Sequence, residues 1–222
     1  STTYREERML PMNRRRIGSV SLIVLLAAAP APLAAQDFGA ASESTAPYRL
    51  MLQPESRLWF KGGSTVRGFE CQATAIEGRS VLEIASGERT LDALGQANAD
   101  VTLEFPVAAL DCDNGTMNDH MRKALQADEH PVIAYRHRAH EIVPGADGSA
   151  RVKIAGLLTI GGQEREITME AEATLAEDGA LRLQGSHELD MTEWGVKPPR
   201  LMLGTLKVHD DVTIYFDFIL RP

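Results

Sequence analysis

The sequence has little of what specialised small proteins are built on. Two cysteines in 222 residues cannot make a disulfide-dense scaffold or a cysteine-cluster metal centre. Aromatic residues are 5% of the chain. Basic residues are outnumbered, 23 Lys+Arg against 31 Asp+Glu, for a formal net charge of -8. That sign argues against nucleic-acid binding through overall charge, because phosphate attracts Lys/Arg-rich surfaces. Phosphate-binding Gly loops and the Gly-x-Ser-x-Gly nucleophile elbow are absent from the sequence. No apolar run reaches the about 20 residues of a membrane-spanning helix. What is present, 44% hydrophobic and 24% charged residues, is the composition of a folded globular chain and excludes disorder and collagen-like character.

The nearest approach to a membrane span is the apolar stretch 20–29. It follows Asn13-Arg14-Arg15-Arg16 and runs into Pro30, Pro32, Ala34 and Ala35. A basic, then apolar, then small-residue order is the layout of a secretory signal peptide. Residues 1–35 therefore read as a leader and signal peptide, 36–47 as a flexible tether, and 48–222 as one domain. Gln36 stands where a lipoprotein would carry Cys, and Ile17-Gly18 fits twin-arginine export poorly. Sec-type export is expected, to a bacterial periplasm or beyond, with no stable membrane anchor after cleavage. Loss of Arg5, Arg8, Arg14, Arg15 and Arg16 with Glu6 and Glu7 leaves 18 basic and 29 acidic residues, a net of -11. A polybasic contact with anionic lipid is thereby disfavoured.

Export changes the meaning of the cysteines. Cys71 and Cys112 form an even pair in a chain bound for an oxidising compartment, so a disulfide is expected. Redox-active pairs use two cysteines separated by two residues, a spacing not found here.

Period-two alternation dominates the rest, the mark of half-buried strands. Val212, Ile214, Phe216, Phe218 and Leu220 alternate with Thr213, Tyr215, Asp217 and Ile219. The same pattern runs through 167–175, 181–190 and 101–105, and more weakly through 48–52, 57–61, 66–75, 132–140 and 151–160. Gly161-Gly162, Asp147-Gly148 and Asp178-Gly179 read as hairpin turns. Met117, Met121 and Leu125 recur four residues apart, which predicts one amphipathic helix over 118–128. Eight or nine antiparallel strands with one inserted helix predict an all-β fold, an eight-stranded barrel whose closure removes exposed edges. Such a barrel holds side chains or one small apolar ligand.

Catalytic and metal constellations are not found. His137 and His140 are three apart in a predicted strand, which places them on opposite faces. His187 has inward parity and reads either as a satisfied interior histidine or as a contact for a ligand head group. Asp111-Cys112-Asp113-Asn114-Gly115 resembles a calcium loop until Gly115 falls on a ligand position and Arg122 on that of the bidentate Glu. No cofactor is implied.

Five segments, in order, resemble the YceI-like family. They are Ser56-Arg57-Leu58-Trp59-Phe60 with Ser64-Thr65-Val66-Arg67-Gly68-Phe69, and Asp119-His120-Met121-Arg122-Lys123-Ala124-Leu125 with His130-Pro131-Val132. Then come Gly156-Leu157-Leu158-Thr159-Ile160-Gly161-Gly162, Thr192-Glu193-Trp194-Gly195-Val196, and the closing strand 211–218. The resemblance implies a lipocalin-like antiparallel barrel, exported in many members, that holds an isoprenoid or other lipid chain without catalysis. A quinone tail or a fatty-acyl chain fits the same description, and a homodimer stays open. Cys71, Cys112 and the stretch 197–203 depart from the family pattern.

Inward parity nominates Leu58, Phe60, Phe69, Met169, Leu183, Ile214, Phe216 and Phe218 as lining. Met117 and Met121, with Trp194 and Met202, would form an adaptable mouth. A filled, dry core produces the same alternation, so a protein-interaction module with a solid barrel is one alternative. An enzyme using His187 or Asp190 on a lipid head group is another.

Overall fold

The structure is a computed structural model that describes residues 47–145, 148–201 and 205–222. The export segment, residues 36–46 of the tether, and Met202 lie outside the described residues. The strands are β1 (Tyr48–Leu52), β2 (Arg57–Ser64), β3 (Gly68–Ala73), β4 (Glu77–Ile84), β5 (Asn98–Pro106) and β6 (Leu110–Asp111). They continue with β7 (Val132–Pro144), β8 (Ser149–Ile160), β9 (Gln163–Leu175), β10 (Leu181–Asp190), β11 (Arg200–Leu201) and β12 (Leu206–Arg221). Two helices interrupt them, α1 (Leu91–Leu94) and α2 (Gly115–Ala124).

Hydrogen bonds run in the order β1-β4-β5-β7-β8-β9-β10-β12, and β12 returns to β1 through Met51–Arg221 and Leu52–Leu220. The result is a closed, eight-stranded antiparallel barrel, as the alternation predicts. β12 is 16 residues long and outruns β1. On the same edge, its earlier part pairs with β2 from Val208–Ser64 to Asp217–Arg57. β2 carries β3, and β3 carries the two-residue β6. Among the described residues no ladder joins β3 to β4 or β5, so the wall divides on this side.

Burial follows the alternation. On β8, Ala150, Val152, Ile154, Leu158 and Ile160 are buried while Arg151 and Lys153 between them are exposed. The outer face carries ion pairs such as Arg182–Asp217, at 2.7 Å, between β10 and β12. Apolar inside and charged outside reverses the pattern of a lipid-facing barrel. The β8–β9 turn is Gly161-Gly162, both at positive φ (54° and 75°), as a two-residue hairpin turn requires.

Besides the two-residue strands β6 and β11, two elements were not expected. β4 has apolar residues on both faces (Val81 opposite Met51 outside, Leu82 and Ile84 inside), so its alternation is masked. α1 is a single turn, too short for a periodic signal. Thr90 caps it by accepting from the Ala93 N–H, and Leu94 is fully buried at 1% exposure. The helix α2 begins and ends earlier than the Met spacing suggests. Asn114 accepts from the Met117 N–H as its N-cap, and Gln126 adopts φ 53°, which stops the helix.

Cys71 and Cys112 are joined as expected. The bond ties the start of the α2 segment to β3, where the wall has its free edge. It crosses 41 residues of sequence. For a loop of that length the chain-entropy model gives about 3–4 kcal/mol. A Cys71→Ser/Cys112→Ser variant should therefore lose about that much stability in urea unfolding, as should the wild type under reductant. An unchanged midpoint would show that the staple constrains nothing.

Candidate functional site

Inside the barrel lies a cavity of about 470 Å³ whose wall is almost wholly apolar. Interiors of natural proteins are close-packed, so a void of this size in a barrel of this strand number is space for something else. Leu58 and Phe60 of β2, Phe69 of β3, Met169 of β9 and Leu183 of β10 line it. Ile214, Phe216 and Phe218 of β12 complete the expected inward set. Met117 and Met121 face it from α2, which has no fully buried residue of its own. Both cysteines are also on the wall.

Trp194 is not at a mouth. Its ring is 4% exposed in the core, and its indole N–H donates to the Leu158 carbonyl at 3.1 Å. The turn that carries it packs under the barrel end because Gly195, at φ 72°, closes it sharply. Met202 lies outside the described residues. The exposed lining residues are Val66, Arg67, Gly68, Asn114 and Thr116. They belong to the β2–β3 turn and the start of α2, so the mouth opens there.

One pair of polar residues on the wall is misplaced by alternation alone. β7 pairs His137 with Gly156 but Ala139 with Ala155, so it holds one extra residue opposite β8. This β-bulge shifts the inward parity from odd to even residue numbers. Ile133, Tyr135 and His137 line the cavity before it, His140 and Ile142 after it. The expectation that His137 and His140 face opposite ways is therefore wrong. Their rings meet, His137 Nε2 to His140 Nδ1 at 3.1 Å, and His140 Nε2 reaches the Leu94 carbonyl at 3.1 Å. The parity of Tyr135 was readable from its strand; the bulge left no signal in the sequence.

His187 lines the cavity from β10, as its parity indicates. Asp190 does not join it. Its carboxylate accepts from the Thr192 N–H and hydroxyl, which hold its pKa below the ordinary value, and it caps the following turn. Burial, and then the neighbouring His140, hold the His137 pKa below its ordinary value. Burial lowers that of His187, against a smaller opposing effect of Glu188. Burial pushes Tyr135 up to about 12. Among the described residues no group of three or more His, Cys, Asp or Glu is placed to hold a metal ion. Asp111 of the calcium-like loop instead accepts from the Asn118 side-chain amide and the Asp113 N–H, as a brace for α2.

The YceI-like domain family profile matches residues 53–220. The chain belongs to the YceI-like family. Among solved structures it is similar to Burkholderia cenocepacia BcnA, at 15% identity and a TM-score of 0.59, over 76% of this chain and 98% of that one. It is also similar to a polyisoprenoid binding domain from Saccharophagus degradans, implicated in plant cell wall breakdown. There the identity is 11% and the TM-score 0.54, over 78% of this chain and 97% of that one. A YCEI protein from Campylobacter jejuni has 14% identity and a TM-score of 0.50, over 67% and 82%. At these identities the likeness is one of fold. No curated protein sequence matches the chain.

The lowered histidines give stability a pH slope. Each pKa is below its ordinary 6.5 in the folded state, so the unfolded chain binds more protons as the pH falls through 6.5. Stability should therefore fall as the pH drops from 6.5 toward the carboxylate range. The shifted carboxylates Glu55, Asp111, Asp190 and Asp217 have lowered pKa values and act only below their ordinary 4.5 or 3.8. Urea midpoints across that window should slope in the wild type and flatten in His137→Gln/His187→Gln. An equal slope in both would place its origin elsewhere.

Proposed function

We propose that this YceI-like protein is a non-catalytic carrier that holds an isoprenoid or another long apolar chain inside its barrel. The observation that carries the reading is the continuous apolar cavity, open at one mouth and built from the inward residues of nearly every strand. The fold likeness to a polyisoprenoid binding domain supports it. So does elementary energetics. A fifteen-carbon tail gains roughly 12 kcal/mol on leaving water at about 0.8 per methylene. That is enough to offset the roughly 4–15 kcal/mol lost on association, with no charged contact at all. Quinone tails and fatty-acyl chains present the same surface to this wall.

The carrier acts outside the cytoplasm in this reading. The signal-peptide pattern in 12–35 supports that, as does a disulfide, a bond that persists in oxidising compartments. Catalysis by His187 together with Asp190 finds no support, since the Asp190 carboxylate is turned to its own cap at Thr192.

Protein purified from a bacterial periplasm should carry a lipid adduct in native mass spectrometry, or take up farnesol once delipidated. Leu183→Trp, which puts an indole into the cavity, should lower uptake at least tenfold while the β-sheet circular dichroism stays the same. Wild-type protein that arrives empty and takes up no isoprenoid, quinone or fatty acid would refute the proposal.

A further inference from the structure

A hydrocarbon tail makes no use of the polar side chains that β7 turns into the cavity. Tyr135 is 8% exposed, yet its hydroxyl is a buried polar atom with no hydrogen-bond partner. Buried hydroxyls are nearly always partnered, so an unpartnered one on a residue that lines the cavity points to an occupant that supplies the bond. The ring lies across Gly156, where a Cβ would stand 2.5 Å from the Tyr135 hydroxyl oxygen. Only glycine admits the ring in that place. Gly156 is also the residue paired with His137, so the phenol leans toward the His137 position.

The hydrogen-bond chain fixes the protons. The Leu94 carbonyl can only accept, so His140 donates to it from Nε2. In the tautomer that donates from Nε2, His140 has a bare Nδ1, which accepts from the His137 Nε2–H. Neutral His137 is left with a bare Nδ1, an acceptor on the same wall as the Tyr135 donor and two residues along β7 from it. Burial keeps His137 in that neutral form at neutral pH. A hydroxyl satisfies both groups, accepting from Tyr135 and donating to His137. A carbonyl would leave the imidazole unmet. A phosphate would lack a counter-charge, because the only Lys or Arg lining the cavity among the described residues is Arg67, at the mouth.

We propose that Tyr135 and His137, with His140 as the positioning residue, form a subsite for an uncharged hydroxyl, alcoholic or phenolic, at the head of the bound chain. The proposal rests on the lipid-carrier reading. It places the polar head inside the barrel rather than at the mouth.

The test compares farnesol, 3-pentadecylphenol, farnesyl diphosphate and the hydrocarbon farnesene, by displacement of N-phenylnaphthylamine. In a purely apolar cavity the hydrocarbon wins, because an unpaired hydroxyl is costly to desolvate. The wild type should instead bind farnesol or the phenol at least as tightly as farnesene, and the two hydroxyl probes tell alcohol from phenol. Tyr135→Phe and His137→Phe should each lower the farnesol-to-farnesene affinity ratio about tenfold. A ratio unmoved by both substitutions overturns the subsite. So does tightest binding of the diphosphate with loss in Arg67→Ala, which puts the head at the mouth. If neither farnesol nor farnesene binds, the carrier reading falls and takes the subsite with it. Should the variants fail to fold, nitrogen-15 histidine spectra of the wild type decide. Farnesol should move the bare Nδ1 resonance of His137, and an unmoved resonance overturns the proposal.

Discussion

Backbone N–H and C=O groups must find partners, and β12 is where this barrel meets that demand. One edge of the strand is taken by β10 along ten consecutive residues. The other edge is shared, first by β2 and then, over the last two residues, by β1. That shared edge closes the eight-stranded ring and also starts the branch formed by β2, β3 and β6. Closure at one end and division at the other follow from a single strand too long for one neighbour. The mouth, the disulfide and α2 all sit on the divided side.

The division leaves an edge there for a covalent bond to hold. Most neighbouring strands of the ring hold each other by ladders of four or more residue pairs. At β3 the ladder to β6 lasts two residues, and the Cys71–Cys112 bond takes over. The α2 segment that follows is held at its start, through the Asn114 cap and the Asp111–Asn118 brace, more than by burial. Its methionines face the cavity and have no dry core to enter, which suits flexible thioethers.

Much of this was legible beforehand. Alternation in 181–190 and 212–220 locates the inner wall because a strand's side-chain period is two and one face meets the interior. Leu183, Phe216 and Phe218 needed no structure to be placed on that wall. Whether the interior was filled could not be read, since Ile and Leu face inward whether they meet one another or a void. Trp194 was misplaced for a related reason: an aromatic beside glycine marks a turn but does not say which way the ring folds. Strand β4 escaped notice because Val81 and Leu82 are both apolar, so neither period nor composition separated its faces. The histidine pair was missed because alternation has no term for an inserted residue.

That inserted residue has a consequence of its own. Before the bulge the interior reads Ile133, Tyr135, His137; after it, His140, Ile142. Arg138, exposed on the outer face, is what converts an odd count into an even one. The polar patch therefore depends as much on where the strand takes its extra residue as on which residues it contains. A relative with the same residues but with the bulge placed after His140 would keep the barrel and the apolar wall. It would turn one imidazole to solvent and break the proton chain from Leu94. Substitution counts would score such a relative as nearly identical, yet it would have exchanged a cavity with a polar address for a plain hydrocarbon sleeve.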